Sequence, residues 1–363
     1  MKVLFCLNHP AHYHLCKNVI ANLKRDGHEV YILARPKDVL LHLLKNEQYE
    51  VNPVKKGKNI KEKLMFLKSA NQFVVDYARK LQPDFVTGTG GFYDVSHKLG
   101  IPSYSLVEDD VTTNLSIFVD SFGCYWKYTG VLVPSCCNNA MWEFKTIHYS
   151  SYHELAYLHP NHFVPDKAVV EKYFPTSKPY FILRFAQLNA YHDVGVTGIN
   201  TDIAQHLIGM LKPHGDIYIT SERPLEPQFE QYRIKIDPLD MHHAMAFAQL
   251  YIGDSQTMAA ESGVLGVPFV RFNGFVGKIG YLRDLEDVYQ LGYGVKTNEV
   301  DRLYQVVEEL LEMPDRKEVY QARRQKMLSE KIDYAQFLTW FIENYPESKH
   351  IMKENPDYQY RFR

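Results

Sequence analysis

Hydrophobic residues in the first half of the chain fall into short apolar runs that alternate with amphipathic stretches. The run at 3–7 predicts a first strand, and the apolar residues of 11–25 recur at helical spacing. Further strands are predicted at 30–33, 49–54, 85–87 and 101–107. Helices are predicted at 36–46, through Leu67, Phe73 and Leu81, and in a short segment that ends at Gly100. This βαβαβ alternation predicts a parallel, doubly wound sheet.

The same alternation restarts in the second half. Strands are predicted at 180–185, 217–220, 234–236, 250–253 and 269–272, with helices at 202–211, 241–248, 257–265, 303–311 and 337–341. The stretch 150–165 carries Pro160 and Pro165 and little periodicity, which indicates a link between domains. We therefore expect an N-terminal domain at 1–165, a C-terminal domain at 166–335, and a final helix and tail at 336–363 that packs back on the first domain.

Composition narrows the class of protein. The 363 residues are 45% hydrophobic and 23% charged, and the formal net charge of -2 argues against a nucleic-acid partner. The 5 cysteines show no disulfide or zinc spacing, which indicates a reducing compartment. The first apolar run is too short for a signal peptide, and no apolar run of about 18 residues occurs. A cytoplasmic location is expected. The Lys-rich stretch 55–63 is either a solvated face or a contact with anionic lipid at the inner face of the membrane.

The segment 238–271 carries the strongest indication of a ligand. Ligands of open parallel sheets bind beyond the carboxyl ends of strands. Here a predicted strand runs into Asp254, Ser255, Gln256 and Thr257, where a helix begins whose free N–H groups suit a diphosphate. Glu261 lies one turn further, placed to accept hydrogen bonds from ribose. The alternative is an N-cap at Asp254 or Ser255 and a solvated Glu261.

The order of these residues resembles the nucleotide-binding half of the non-hydrolysing UDP-N-acetylglucosamine 2-epimerases, which have the GT-B glycosyltransferase fold. The resemblance implies that Ser255, Gln256 and Thr257 hold the diphosphate and that Glu261 holds the ribose. The preceding helix brings His242, which we assign to the same ligand. Gln256 and Thr257 stand where the epimerases have two glycines, so the backbone approaches a diphosphate less closely.

Nearly the whole chain is similar to an uncharacterised family of GT-B glycosyltransferase-like proteins. The matching motifs are Pro10-Ala11-His12, the stretch 152–160, Arg184 with 192–195 after it, and 254–261. The resemblance implies a GT-B-like fold of two Rossmann-like domains whose parallel sheets face a central cleft. It carries no settled reaction.

Three further clusters follow predicted strands. His9 and His12 follow the first strand and are candidates for acid–base catalysis, the alternative being polar capping of the helix. Arg184 ends the first strand of the second domain and is assigned to the donor diphosphate, the alternative being a structural ion pair. His192 and Asp193, in the loop after it, are assigned to substrate and to catalysis respectively.

The remaining candidates lie after other strands. The glycines of 87–91 line the cleft or form a tight turn, and they make neither a Walker loop nor a dinucleotide fingerprint. Glu108 is a candidate base, whereas Asp110 is expected to be exposed. Ser221 and Glu222 are assigned to the nucleotide base or ribose.

These features predict a metal-independent glycosyltransferase without a cofactor. Its donor would be a nucleotide sugar, UDP-linked by preference, and its acceptor a glycan or lipid-linked molecule in surface polysaccharide synthesis. Two alternatives stay open: a UDP-sugar 2-epimerase-like enzyme that uses Glu108, Asp109 and Asp193, and a non-catalytic polysaccharide-assembly protein of the same fold. Homodimerisation also stays open.

Overall fold

The structure is a computed structural model, and it describes residues 1–37, 39–54, 60–113, 115–186 and 198–363. The described residues divide into two compact units. The N-terminal unit comprises Met1–Tyr157 together with Lys331–Arg363, and the C-terminal unit comprises Leu158–Glu330. The chain thus passes between the units within the stretch 150–165 and again shortly before the final helices.

Strands are short and mostly buried. They are β1 Lys2–Leu7, β2 Glu29–Ala34, β3 Glu50–Val51, β4 Phe85–Gly88, β5 Ser103–Leu106, β6 Gly130–Pro134, β7 Thr146–Tyr149, β8 Tyr180–Phe185, β9 Asp216–Ser221, β10 Leu250–Gly253, β11 Phe269–Phe272 and β12 Gly292–Val295. Continuous burial of β1, β6, β8 and β10 is typical of parallel strands covered by helices on both faces.

Helices connect most of these strands. They are α1 Pro10–Arg25, α2 Leu40–Leu43, α3 Ile60–Leu81, α4 Asp94–Leu99, α5 Leu115–Cys124, α6 Leu155–Leu158, α7 Lys167–Glu171, α8 Thr201–Leu211, α9 Met241–Phe247, α10 Gln256–Val264, α11 Gly280–Arg283, α12 Val300–Glu312, α13 Arg316–Glu330, α14 Tyr334–Glu343 and α15 Glu347–Glu354. None of the helices in the described ranges is long and apolar enough to cross a membrane.

The N-terminal unit contains a seven-stranded sheet in the order β3-β2-β1-β4-β5-β6-β7, and its strand pairs are parallel. The strand order reverses beside β1, which places the first loop and the loop after β4 at a topological switch point. In α1, the buried residues Leu15, Val19, Ile20 and Leu23 form the apolar face that the sequence pattern indicates. The late helix α14 contacts α1, where Asn22 Nδ2 lies 3.3 Å from Thr339 Oγ1.

The C-terminal unit contains a five-stranded sheet in the order β12-β11-β10-β8-β9, again with parallel pairs. The order reverses between β10 and β8. Their carboxyl ends, at Gly253 and Arg184, are direct register partners. A ligand site of the doubly wound type is therefore expected at this point.

Several sequence expectations differ from the structure. The strand predicted at 234–236 is wrong, since within 198–363 this segment makes only an isolated bridge between Ile219 and Arg233. β6, β7 and β12 were not predicted. The stretch 150–165, expected to be a link, contains a passage between the two units, and its part up to His159 is largely buried. Tyr152 and Leu155 to Leu158 are buried because the polar-looking stretch contains a run of four apolar residues.

Gly88 is required by the approach of β4 to β1, and this gives a test of the fold. A Cβ at Gly88 would lie 2.2 Å from the Cys6 carbonyl oxygen, and φ is +142°. We expect Gly88→Ala to lower the free energy of unfolding by about 3 kcal/mol, measured by urea denaturation. Gly100→Ala is the matched control, since Gly100 has φ +70° but open space around it; it should cost about 1 kcal/mol. Equal losses in the two variants would contradict the close approach.

Candidate functional site

The first turn of α10 lies at the switch point of the C-terminal sheet. Ser255 is its N-cap, with extended backbone angles, and its Oγ accepts from the Met258 N–H at 3.5 Å. Helix geometry leaves the N–H groups of Gln256 and Thr257 without intrahelical acceptors. Residues 255–258 are half-buried, whereas 259–264 are buried. The helix therefore presents its partly positive end at the surface while its body is held in the core.

Asp254 has a structural position. It is buried, its Oδ1 accepts from the Ala186 N–H at 2.6 Å, and its Oδ2 accepts from the Ile199 N–H at 3.3 Å. Burial raises the pKa of Asp254 to about 6, and the two backbone hydrogen bonds oppose that rise. The carboxylate thus ties the residue after β8 and a residue two positions before α8 to the end of β10, and both of its oxygens accept a hydrogen bond.

Glu261 and His242, both assigned to the ligand from the sequence, lie together. Glu261 Oε1 is 2.9 Å from His242 Nε2, and 7% and 6% of the two side chains are exposed. The alternative of a solvated Glu261 is therefore wrong. The buried carboxylate is held by a partner on α9.

Arg184 forms an ion pair, as the structural alternative for it anticipated, although with a Glu. Its Nη1 donates to Thr220 Oγ1 at 2.7 Å and its Nη2 contacts Glu222. Arg184 is mostly buried and Glu222 is exposed. The guanidinium is therefore held at the carboxyl ends of β8 and β9 by a carboxylate that water already screens.

Ser221 has a local role. Its Oγ lies 2.7 Å from the Arg223 carbonyl oxygen and accepts from the Arg223 N–H at 3.2 Å. Arg223 stacks on the Phe185 ring at 5.3 Å. The turn after β9 thereby sets a second guanidinium at this edge of the sheet.

Arg271 was not assigned a role from the sequence, although it ends the motif that carries the resemblance. It is fully buried, with Nη2 2.8 Å from Glu286 Oε1 and Nη1 3.0 Å from Asn273 Oδ1. Asn273 Nδ2 donates to the Asp254 carbonyl at 3.0 Å. Arg271 thus supports the turn that precedes α10. The signal in the sequence was an Arg within a predicted buried strand, a position that requires a partner.

His192 and Asp193 lie outside the described residues, as do Asn189 and the first part of the Lys-rich stretch 55–63. Their assignments to substrate, catalysis and lipid stay predictions. Ala186 and Ile199, which lie in the described chain on either side of 187–197, are the two residues whose N–H groups Asp254 holds.

In the N-terminal unit, the loop after β1 contains His9 and His12. His9 caps α1, since its Nδ1 accepts from the Ala11 N–H at 3.3 Å. His12 Nδ1 accepts from the Asn8 N–H at 3.1 Å and is contacted by the Thr89 hydroxyl. The polar capping considered from the sequence is therefore present at His9. Because the Asn8 N–H donates to Nδ1, His12 carries its proton on Nε2 and presents a donor there.

Burial lowers the pKa of His12 well below its ordinary value, and the neighbouring His9, His153, Lys37 and Arg35 lower it further. The geometry also favours the neutral imidazole, because a proton on Nδ1 would face the Asn8 backbone N–H, which is itself a donor. His12 is thus neutral at neutral pH.

Carboxylates follow β5. Glu108 Oε2 lies 3.1 Å from His153 Nδ1, so this candidate base is paired with an imidazole. Asp110 is buried, and its Oδ1 accepts from the Asn138 N–H at 2.8 Å. The expectation that Asp110 is exposed is wrong, because the carboxylate closes a turn after β6. Across the described ranges, no three His, Cys, Asp or Glu side chains are grouped as a metal site would need.

Comparison with known proteins finds no matching family model and no matching curated protein. Solved structures share the fold. MnaA of S. aureus, in a co-structure with UDP, is 12% identical, with a TM-score of 0.67 over 96% of this chain and 98% of that one. UDP-GlcNAc 2-epimerase from Neisseria meningitidis, bound to UDP-GlcNAc, is 15% identical, with a TM-score of 0.62 over 94% and 99%. CalG4, the calicheamicin glycosyltransferase, is 13% identical, with a TM-score of 0.58 over 95% and 99%.

These similarities, with the two parallel sheets, confirm the fold class predicted from the sequence: α/β, GT-B-like, with two Rossmann-like domains. They also confirm that the local resemblance to the 2-epimerases and the wider one to GT-B glycosyltransferases hold at the level of fold. At these identities they extend to fold alone.

The state of His12 predicts a pH dependence of stability. Its folded-state pKa is lowered, so as pH falls below about 6.5 the unfolded chain binds the proton first. We expect the free energy of unfolding to decrease with falling pH, by up to about 1.4 kcal/mol per pH unit from this residue. His12→Asn should reduce that slope in urea titrations between pH 7 and 5. His214→Asn, at an exposed histidine, should leave it unchanged; an unchanged slope in both variants would contradict the neutral state.

Proposed function

We propose that the protein is a GT-B-type enzyme that acts on a UDP-linked sugar, and that it is a glycosyltransferase. The observation that carries the proposal is the half-buried first turn of α10 at the switch point, with the buried pair of Glu261 and His242 beside it. Support comes from structures of the same fold that contain UDP or UDP-GlcNAc.

The diphosphate would bind at the first turn of α10. The N–H groups of Gln256 and Thr257 point out of the helix end, and the Thr257 hydroxyl adds a donor. Both residues carry a Cβ where glycines would permit closer approach, so side-chain donors supply part of the binding. Arg184 lies at the end of the neighbouring strand β8. If its guanidinium left Glu222 and paired with a phosphate, it would neutralise charge on the departing nucleoside diphosphate.

The ribose would bind to Glu261. Its carboxylate is already desolvated and oriented by His242, so binding a ribose hydroxyl pair requires little further ordering. Asp254, in contrast, keeps both oxygens on backbone N–H groups, and we propose for it the role of shaping the site rather than contacting the ligand.

The acceptor is proposed to be a glycan or a lipid-linked molecule in surface polysaccharide synthesis, bound by the N-terminal unit. The carboxyl edge of its sheet gathers neutral imidazole and carboxylate groups, at His12 and at the pair of Glu108 and His153. Groups of this kind suit proton transfer from a sugar hydroxyl.

A UDP-sugar 2-epimerase is the second candidate. It is favoured by the number of 2-epimerases among the structures that share the fold and by the two carboxylates Glu108 and Asp109 after β5. In an epimerase, Glu108 and Asp109 would transfer protons to and from a carbon atom of the sugar rather than an oxygen atom.

Binding of UDP tests the donor site. A ligand at 100 times its dissociation constant stabilises the folded state by about 2.7 kcal/mol, so UDP should raise the melting temperature. Glu261→Ala and the volume-conserving Glu261→Gln should reduce that shift, each measured against its own ligand-free melting temperature. Glu230→Ala, which removes an exposed ion pair with Arg233, is the matched control and should keep the full shift. No shift with UDP, GDP or CDP would overturn the proposal and favour the non-catalytic assembly protein.

Products formed from UDP-GlcNAc without an acceptor separate the two enzyme classes. A glycosyltransferase should leave the configuration at C2 unchanged and release UDP only by slow transfer to water. An epimerase should convert the substrate to its 2-epimer, which chromatography of the nucleotide sugars detects. Formation of that product would favour the second candidate. Boiled protein gives the background.

A further inference from the structure

His153 lies at the carboxyl edge of the N-terminal sheet, in a stretch that the sequence indicated only as a link. It follows β7, and Glu108 follows β5. The neighbours of His153 in the chain, Tyr152 and Glu154, are buried, so its backbone position is fixed by packing. Only 12% of its side chain is exposed, and its ring stacks on Tyr334 at 5.9 Å.

Glu108 holds His153 with both carboxylate oxygens. Oε2 lies 3.1 Å from Nδ1 of the ring, and Oε1 accepts from the His153 backbone N–H at 3.3 Å. A carboxylate at Nδ1 requires the proton on that nitrogen, which leaves the lone pair on Nε2. The ring is thereby fixed in tautomer and in orientation.

The other nitrogen, Nε2, is buried and has no hydrogen-bond partner among the described residues. Buried polar atoms in native proteins are nearly always paired, and exceptions are typical of functional groups. Burial lowers the pKa of His153 to about 4, against the opposing charges of Glu154 and Asp109. Burial outweighs the neighbouring carboxylates, so His153 is unprotonated at neutral pH.

The three other candidates for a base at this edge, His9, His12 and Glu108, are less suited. His9 and His12 both use Nδ1 as an acceptor of backbone N–H groups, so each can offer only its other nitrogen, as a donor. Glu108 is engaged twice by His153. Among these groups, His153 is the imidazole whose lone pair is both oriented by a carboxylate and unused.

We propose that His153 is the general base of the enzyme and that Glu108 is its positioning residue. The inference rests on the proposed function. The oxygen of an acceptor hydroxyl, or of water, forms a bond to the anomeric carbon of the donor sugar while its proton passes to Nε2. The anomeric C–O bond breaks, and its electron pair leaves on the nucleoside diphosphate. Glu108 stabilises the imidazolium that forms.

The test uses release of UDP from UDP-GlcNAc with water as the acceptor, together with calorimetric titration of UDP. His153→Ala and His153→Gln should lower the release rate about 100-fold or more and leave the affinity for UDP unchanged. His148→Ala is the matched control: His148, in β7, also pairs with a carboxylate, Glu143, at 2.7 Å, but 34% of its side chain is exposed. It should keep the parent rate. Thermal melting identifies any variant that fails to fold.

The variant Glu108→Gln distinguishes a role of Glu108 in positioning His153 from a purely structural role. It should lower kcat without raising KM. The parent rate should fall with decreasing pH as Nε2 becomes protonated, and loss of the Glu108 charge should move that fall to lower pH, because the imidazolium loses its counter-charge. A merely structural Glu108 would leave the pH profile in place.

Either of two results would overturn this inference without overturning the proposed donor site. One is a folded His153→Ala variant that releases UDP at the parent rate. The other is a parent protein that binds UDP-GlcNAc tightly but releases no UDP. Absence of UDP binding in the calorimeter is a different outcome, because it overturns the proposed function and this inference with it.

Discussion

The C-terminal unit depends on a chain of buried polar contacts across the carboxyl ends of its central strands. Glu286 pairs with Arg271, which donates to Asn273, which donates to the Asp254 carbonyl; the Asp254 carboxylate then binds the Ala186 and Ile199 N–H groups. Each member of such a network is costly to bury alone and stable only when all are satisfied. The network fixes the turn where α10 begins, so the proposed donor site inherits its geometry from residues that do not themselves touch a ligand.

The carboxyl edges of the two sheets carry different chemistry. At the C-terminal sheet, helix N–H groups and the guanidinium groups of Arg184 and Arg223 offer donors and positive charge. At the N-terminal sheet, His12 and His153 are neutral and Glu108 is engaged by an imidazole. The first set suits anions, and the second suits proton transfer. The proposed transferase would use the first set for its nucleotide sugar and the second for its hydroxyl nucleophile.

Sequence periodicity predicted most of the architecture because the buried strands and helices are long enough to show it. β1, α1, β8 and α10 follow from apolar spacing and cap residues. β7 and β12 were missed because Thr146–Tyr149 contains polar residues and Gly292–Val295 contains two glycines. The segment at 234–236 alternates like a strand but lacks a partner within the described chain beyond one bridge. Local pattern cannot report whether a neighbouring strand is available.

The site was predictable where its residues lie close in sequence and not where the fold joins distant ones. The motif from Asp254 to Glu261 was identified as a unit, since one turn of helix sets its geometry. The pairing of Glu261 with His242 and that of Glu108 with His153 depend on how separate helices and strands pack. His153 illustrates the point. A polar pair between Tyr152 and Leu155 in a Pro-containing stretch indicates a link, yet burial of those two residues places the His153 ring against the carboxylate after β5. Packing of the neighbouring residues thus positions the imidazole for its proposed role as a base.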